Sequence, residues 1–329
     1  MKVLAAVDKF RGTATAAQVA TAIGHACWQL GHDCIERPLA DGGEGTLDAL
    51  GGANRTTLVT GPLGKPVQAP WRLHRGTAVI EMACASGLML AGGKQENDPI
   101  AATTTGTGEL IDAALDLGAK RIIVCLGGSA TTDGGLGAVR QSNSGSAQRC
   151  EFVVACDVTT KFTDAAKVFA PQKGASPAQV QFLTTRLEKL VQVYQQSYGV
   201  DVSEISGAGA AGGLAGGLAA LGAQLVPGFD LVAEEVELDV LLSDIDMVIT
   251  GEGFMDSESF AGKVVGSMSE LANERKIQIA AICGEIHPDV SSKMNSVSLV
   301  ETFGREEAFA QPLHCIEHAA LKILRDLKI

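Results

Sequence analysis

Residues 121–126, RIIVCL, form an apolar run of strand character, and the nine positions after them, GGSATTDGG (127–135), hold four glycines, three hydroxyl side chains and one carboxylate. The same arrangement recurs at 40–46 (ADGGEGT) and 250–263 (TGEGFMDSESFAGK). Strands apolar on both faces belong to parallel sheets covered by helices. In open α/β sheets the C-terminal strand ends carry the ligand sites, beside helix N-termini whose free N–H groups attract anions. Glycines there let the backbone approach a ligand and turn several N–H groups onto one phosphate.

Composition agrees with an α/β fold. The 39 glycines follow no short period, which excludes a collagen-like chain, and hydrophobic residues reach 46% with aromatics at only 4%, which predicts an aliphatic core. A chain of 329 residues exceeds one ordinary core and fits two α/β lobes. The net charge of −12 argues against nucleic acid and anionic membrane surfaces as partners, leaving a small-molecule ligand. Eight cysteines (27, 34, 84, 125, 150, 156, 283 and 315) include no C-x-x-C pair and read as reduced thiols of a cytoplasmic protein. MKVLAAVDKF turns charged too soon for a signal peptide, and no stretch approaches the roughly 20 apolar residues that span a bilayer.

Along the chain, KVLAAV reads as a first strand, followed by DKFRGT and a helix from about Thr15 to Leu30 that stops at Gly31. CIERPL is a second strand. Between about Thr56 and Met82 the pattern changes to short strands (RTTLVT, PVQAPWRL, TAVIEMA) broken by Gly-Pro and Gly-Lys turns, with antiparallel character. A helix (TGELIDAALDLG) and the strand RIIVCL follow, then RQSNSGSAQR (140–149) as an exposed turn, the strand FVVACDV and a long helix from Pro177 to Tyr198. After the strand DIDMVIT the rhythm of the first lobe resumes, with a helix near Val264 to Arg275, strands QIAAIC and NSVSLV, and a terminal helix from about Pro312. The chain leaves one lobe and returns to it. The expected division is 1–56 with 236–329, and an inserted α/β domain over 57–235.

Carboxylates beside an anion site would repel phosphate unless they hold a cation, and Mg²⁺ takes one or two carboxylates with phosphate oxygens. Asp41, Asp133, Asp157 and Asp256 are therefore candidates for metal ligation or for orienting an attacking hydroxyl. Lys173 (APQKGA) and Lys263 (FAGK) each adjoin a glycine, as a phosphate clamp requires. GAGAAG (207–212) fits G-x-G-x-x-G, but GVDVSEIS before it is a poor buried strand, so close helix packing is the expected role. No G-x-x-x-x-G-K-[ST] occurs. His314 and His318 stand one helical turn apart without a third ligand, and Met82, Met89 and Met247 read as core.

Taken together, DKFRGTATAAQVATAI, ADGGEGT, EMACASGL, ATTTGTGELI, GGSATTDGG, VACDV, FAPQKGA, GAGAAGGL and ITGEGFMDSESFAGK resemble the bacterial glycerate kinase family, in order from the first strand to about Gly284. The resemblance implies ATP- and Mg²⁺-dependent phosphorylation of D-glycerate, and a Rossmann-like parallel-sheet domain built from both chain ends with an inserted α/β domain. It also implies roles. Asp41 or Asp133 would orient the hydroxyl, Arg11 would pair with the substrate carboxylate, and Lys173 and Lys263 would hold phosphates. Asp157 and Asp256, with Glu252, would surround the metal; Ser129 and the N–H groups of Gly42, Gly43, Gly127 and Gly128 would hold ligand oxygens.

Several positions depart from the family pattern. Lys9 and Arg11 replace the usual Ser and Lys of the first loop, and Thr132 the usual Asn. Thr105 stands for the usual Tyr, Phe254 for the usual Arg and Glu258 for the usual Gln. The segment between Gly137 and Cys156 is short. Phe for Arg removes a forked donor, which keeps open a second reading, a paralogue that binds a small carboxylate or nucleotide without turnover. A third, a nicotinamide-dependent oxidoreductase, rests on GAGAAG alone. A homodimer is left open.

Overall fold

The computed structural model describes residues 1–142 and 150–327. Most of the turn expected at 140–149 lies outside these residues; Arg140 and Gln141 close a helix, Leu136–Gln141. Among the described residues there are eleven strands: β1 Lys2–Val7, β2 Asp33–Pro38, β3 Arg55–Thr60, β4 Pro66–His74, β5 Thr77–Glu81, β6 Arg121–Cys125, β7 Glu151–Ala155, β8 Gln224–Val226, β9 Met247–Met255, β10 Gln278–Ile286 and β11 Ser296–Ser298.

The first unit comprises residues 1–41, 48–50 and 229–329. Its five strands run in the order β11-β10-β9-β1-β2, all parallel. Val3 through Val7 are fully buried, because alternate side chains face two helical layers. Val3, Ala5 and Val7 pack with the helices Ala16–Gln29 and Pro312–Asp326, while Leu4 and Ala6 pack with Val264 and Met268 of the helix Val264–Glu274. That two-sided burial is why the strand reads as an unbroken apolar run. Thr15 starts the first helix with a capping box: its hydroxyl accepts from the Gln18 N–H, and the Gln18 side chain accepts from the Thr15 N–H.

The second unit comprises residues 42–47 and 51–228. Its sheet runs β3-β4-β5-β6-β7-β8, antiparallel from β3 to β5 and parallel from β5 to β8. Composition predicts an aliphatic core, yet this unit buries Trp71, Phe162 and Tyr194, the last two edge to face with ring centroids 6.0 Å apart. These three are the most deeply buried aromatics among the described residues. The observed division falls at residues 51 and 229, where the sequence suggested breaks near 56 and 236. Phe229 and Val232 pack with Leu4 and Ala6, which assigns the start of the returning segment to the first unit.

Three expectations need correction. The segment from 250 is not a loop from its first residue, since β9 runs on to Met255 and pairs Glu252 with Cys283 and Phe254 with Glu285 of an equally long β10. The expected strand at 295–300 is cut to three residues because Ser298 caps a helix, Leu299–Phe303, by accepting the Glu301 N–H. Met82 and Met247 are core, but Met89 is 84% exposed.

Candidate active site

Each unit gathers one group of the residues singled out by sequence. In the first, Asp8 follows β1 and its N–H donates to the Gly251 carbonyl at 2.9 Å, which sets it beside Glu252 on β9. Burial, the largest cause, pushes the Asp8 carboxyl up to about 6, aided by the nearby Asp41 charge and opposed by Lys9 and Arg11. Glu252 is pushed up to about 7, again chiefly by burial, with Asp8 and Asp256 raising it and Ser259 and Lys263 opposing. Its Oε1 is buried with no hydrogen-bond partner. Asp41, Arg11, Glu252, Asp256 and Lys263 thus share one electrostatic environment.

The supporting geometry is local. Asp256 Oδ1 accepts from the Glu258 and Ser259 N–H groups at 2.8 and 3.3 Å, capping the short 3-10 turn Glu258–Phe260. Lys263 pairs with Glu258 at 3.4 Å and precedes the helix Val264–Glu274. Phe254 is 49% exposed on the same strand as Glu252. The carboxylate oxygens of this group suit Mg²⁺ in hardness, and the partnerless Glu252 Oε1 is a free acceptor for it. No trio of His, Cys, Asp or Glu among the described residues is arranged to hold a metal alone.

The second group surrounds Lys173, a charged side chain only 3% exposed. Its Nζ donates to the Thr131 carbonyl at 2.6 Å and to Ser129 Oγ at 3.2 Å. Burial pushes this ammonium down to about 7, while Asp133 pulls it back up. Asp133 is also buried, and four donors occupy its carboxylate: Oδ2 accepts from Thr104 N, Thr104 Oγ1 and Gly137 N at 2.9, 2.8 and 3.1 Å, and Oδ1 from Gly135 N at 3.1 Å. Asn97 braces the lysine from behind, its Nδ2 donating to the Lys173 and Ala130 carbonyls at 2.8 and 3.1 Å.

The glycine loops meet in this unit. A Cβ on Gly127 would lie 2.7 Å from the Glu44 nitrogen, so Gly127 and residues 43–44 touch backbone to backbone. Gly42, at φ +85°, lies against Ala155 and Gly228. Asp157 Oδ1 accepts the Gly228 N–H at 2.7 Å. The 207–213 stretch also joins. Ala211, Gly212 and Gly213 are left-handed within the helix Ala210–Ala220, the Gly212 carbonyl accepts the Gly134 N–H at 3.0 Å, and Ser129 Oγ donates to the Ala211 carbonyl at 3.4 Å. The packing role expected for GAGAAG is therefore packing against the Asp133 loop.

Sequence reasoning passed over Asp8, Glu81, Asn97 and Thr104. Asp8 was legible as a carboxylate ending a buried strand; the others act through contacts 29 to 76 residues away in the chain, which no local pattern encodes. The rings of His314 and His318 lie tilted to one another with centroids 4.1 Å apart, and all eight cysteines are free thiols. No described helix is long and apolar enough to cross a membrane.

Comparison with known proteins places this α/β fold in a family. The pattern of the glycerate kinase family matches residues 3–144 and 141–328, and the chain belongs to that family. It is 38% identical over 331 residues to the glycerate 2-kinase of Escherichia coli (strain K12), covering 88% of this chain and 87% of that protein. It is 35% identical over 377 residues to the glycerate kinase of Bacillus subtilis (strain 168), covering 100% and 98%. A crystal structure from Salmonella typhimurium LT2, described as glycerate kinase 2, superposes with a TM-score of 0.86 at 34% identity and covers 100% of this chain and 98% of that one. The B. subtilis alignment is longer than this chain's 329 residues, so that relative carries residues with no counterpart here. The family match breaks at 141–144, inside the segment that reads as shortened.

Proposed function

We propose that this chain is an ATP-dependent kinase that phosphorylates D-glycerate, or a closely related small hydroxy acid, to a phosphoglycerate. Family membership supports phosphoryl transfer, and Lys173 is the observation that carries the reading. A lysine this buried, held by two neutral oxygens under glycine loops, is destabilised as a cation until an anion comes near. Phosphoryl transfer needs positioning and charge neutralisation more than covalent chemistry from the protein. Lys173, Ser129 and the backbone N–H groups of Gly42, Gly43, Gly127 and Gly128 are assigned to ligand anions. Asp133, its carboxylate already filled by four donors, is the countercharge that partly offsets the burial of Lys173 rather than the hydroxyl-orienting base. That base role goes to Asp41.

Arg11, exposed beside this carboxylate group, is assigned to the substrate carboxylate and Lys263 to a phosphate. Mg²⁺, when bound, neutralises the phosphates of the donor nucleotide, and Glu252 and Asp256, with Asp8 beside them, would hold it. Asp157, engaged with the Gly228 N–H, is assigned to holding the loop around Gly42. ADP release in the presence of D-glycerate and a panel of hydroxy acids tests the proposal, and phosphorus NMR of the product distinguishes the 2- from the 3-phosphate. Exposed Phe254 favours the second reading, a protein that binds without turnover. Silence across the panel alongside measurable nucleotide or glycerate binding selects that reading instead.

A further inference from the structure

Glu81 ends β5 and is 7% exposed, a carboxylate buried where no part of the proposed chemistry calls for one. Its Oε1 accepts the N–H of Gly45 at 2.8 Å and the N–H of Leu47 at 2.7 Å. The segment it grips holds three glycines in four residues, 42, 43 and 45, and two of them, Gly42 and Gly45, have positive φ of +85° and +95°. Such a backbone has little stiffness of its own. Thr46, fully buried, adds a local tie through its hydroxyl to the Gly43 carbonyl at 2.7 Å. Glu81 thus ties this loop to β5, 34 and 36 residues away in sequence.

Across the sheet, Glu81 stands opposite Cys125, the last residue of β6, and β6 leads into Gly127 and Gly128. One side chain therefore fixes the 42–47 loop relative to the strand pair that delivers the 127–135 loop. At that junction the backbones of Glu44 and Gly127 come close together.

We propose that Glu81 is the positioning residue of the site in this unit: it touches no ligand, and it holds the N–H groups of the 42–47 loop in the geometry that binds the substrate anion. The catalytic half of this proposal rests on the kinase reading above. A misplacement of about 1 Å in such a loop costs roughly a hundredfold in rate.

The test compares Glu81→Gln, Glu81→Asp and Glu81→Ala. Gln keeps a carbonyl oxygen at the same reach, able to accept both N–H groups; Asp keeps the charge but is one methylene short. Amide hydrogen exchange at 43–47 is expected to accelerate about tenfold or more in the Asp and Ala variants and to stay near wild type in Gln, while amides of β6 remain protected in all. Per folded molecule, kcat/KM for D-glycerate should fall about a hundredfold in Asp and Ala, with Gln within about tenfold of wild type. A residue serving stability alone would lower the unfolding temperature and leave kcat/KM of the folded fraction unchanged, which overturns the proposal. So does unchanged exchange at 43–47 in the Asp variant, the milder change if Ala fails to fold. If exchange behaves as expected and wild type itself turns over no hydroxy acid, the kinase reading fails and the loop-holding role of Glu81 stands.

Discussion

In the first unit, carboxylates gather around Asp8 and Glu252, and burial pushes these two up to about 6 and about 7. In the second, burial pushes Lys173 down to about 7 although a carboxylate lies close. The leading cause is the same and the sign opposite: desolvation disfavours whichever charge is present. The first group is short of positive charge and the second of negative charge. Neither deficit is relieved inside its own unit, since Lys9, Arg11 and Lys263 only partly offset burial in one, and Asp133 spends its lone pairs on backbone and hydroxyl donors in the other. Each group is thus prepared to be completed by a ligand of opposite sign.

The contrast breaks most sharply at Lys173. Lys173→Met is expected to lower kcat/KM by at least a hundredfold, the loss of one preorganised charge at a reacting anion, measured by ADP release against a folded control. Inorganic phosphate should raise the unfolding temperature of wild type and not that of the variant. Stability provides a further check, because the unfolded chain, with the ordinary lysine value of 10.5, binds more protons than the folded one between about pH 7 and that value. Wild-type stability should therefore rise with pH across this window, and Lys173→Met should remove the rise.

Glu252 sharpens the other side. Its folded value of about 7 exceeds the ordinary glutamate value of 4.5, so the folded state binds more protons in that interval and loses stability as pH climbs through it. Glu252→Gln should leave stability unchanged below pH 4.5 and add on the order of 1–2 kcal/mol above pH 7, read as a shift in thermal midpoint. Mg²⁺ should stabilise wild type at pH 8 more than at pH 5, and the variant less than wild type at pH 8. A flat midpoint difference between pH 4 and pH 8 would refute the assignment.

The smallest expected effect lies at Ala211, a non-glycine residue held at φ +51° and ψ +39° where its loop packs on the Asp133 loop. Ala211→Gly relieves the left-handed penalty of about 1–2 kcal/mol against a glycine entropy cost of roughly 0.5–1, so a gain of at most about 1.5 kcal/mol in urea unfolding is expected. No gain would mean that the loop, rather than the residue, dictates this backbone.

Much of the fold was legible because it rests on local rules. KVLAAV and RIIVCL declare buried strands by being apolar on both faces, Thr15 and Ser176 open their helices with capping boxes, and glycines follow the strand ends. The extension of β9 through Gly251 and Gly253 was not legible, since only pairing with β10 makes a strand of a glycine-rich segment. Met89 looked like core because an apolar side chain in an apolar stretch carries no mark of which way it faces. At the site, the loop residues were visible as glycine and carboxylate clusters and Asp8 as a carboxylate ending a buried strand, whereas Glu81, Asn97 and Thr104 were not.

The sequence by itself determined the alternation of strands and helices, the position of the glycine loops and the family to which the chain belongs. Periodicity, capping and turn chemistry act over a few residues, so they can be read in order. Only the tertiary structure decided that Asp133 is filled by four donors, that Lys173 is sealed from water and that Glu81 grips a loop 34 residues upstream. Burial and hydrogen-bond satisfaction depend on what packs around a group, and that is set by segments far apart in the chain.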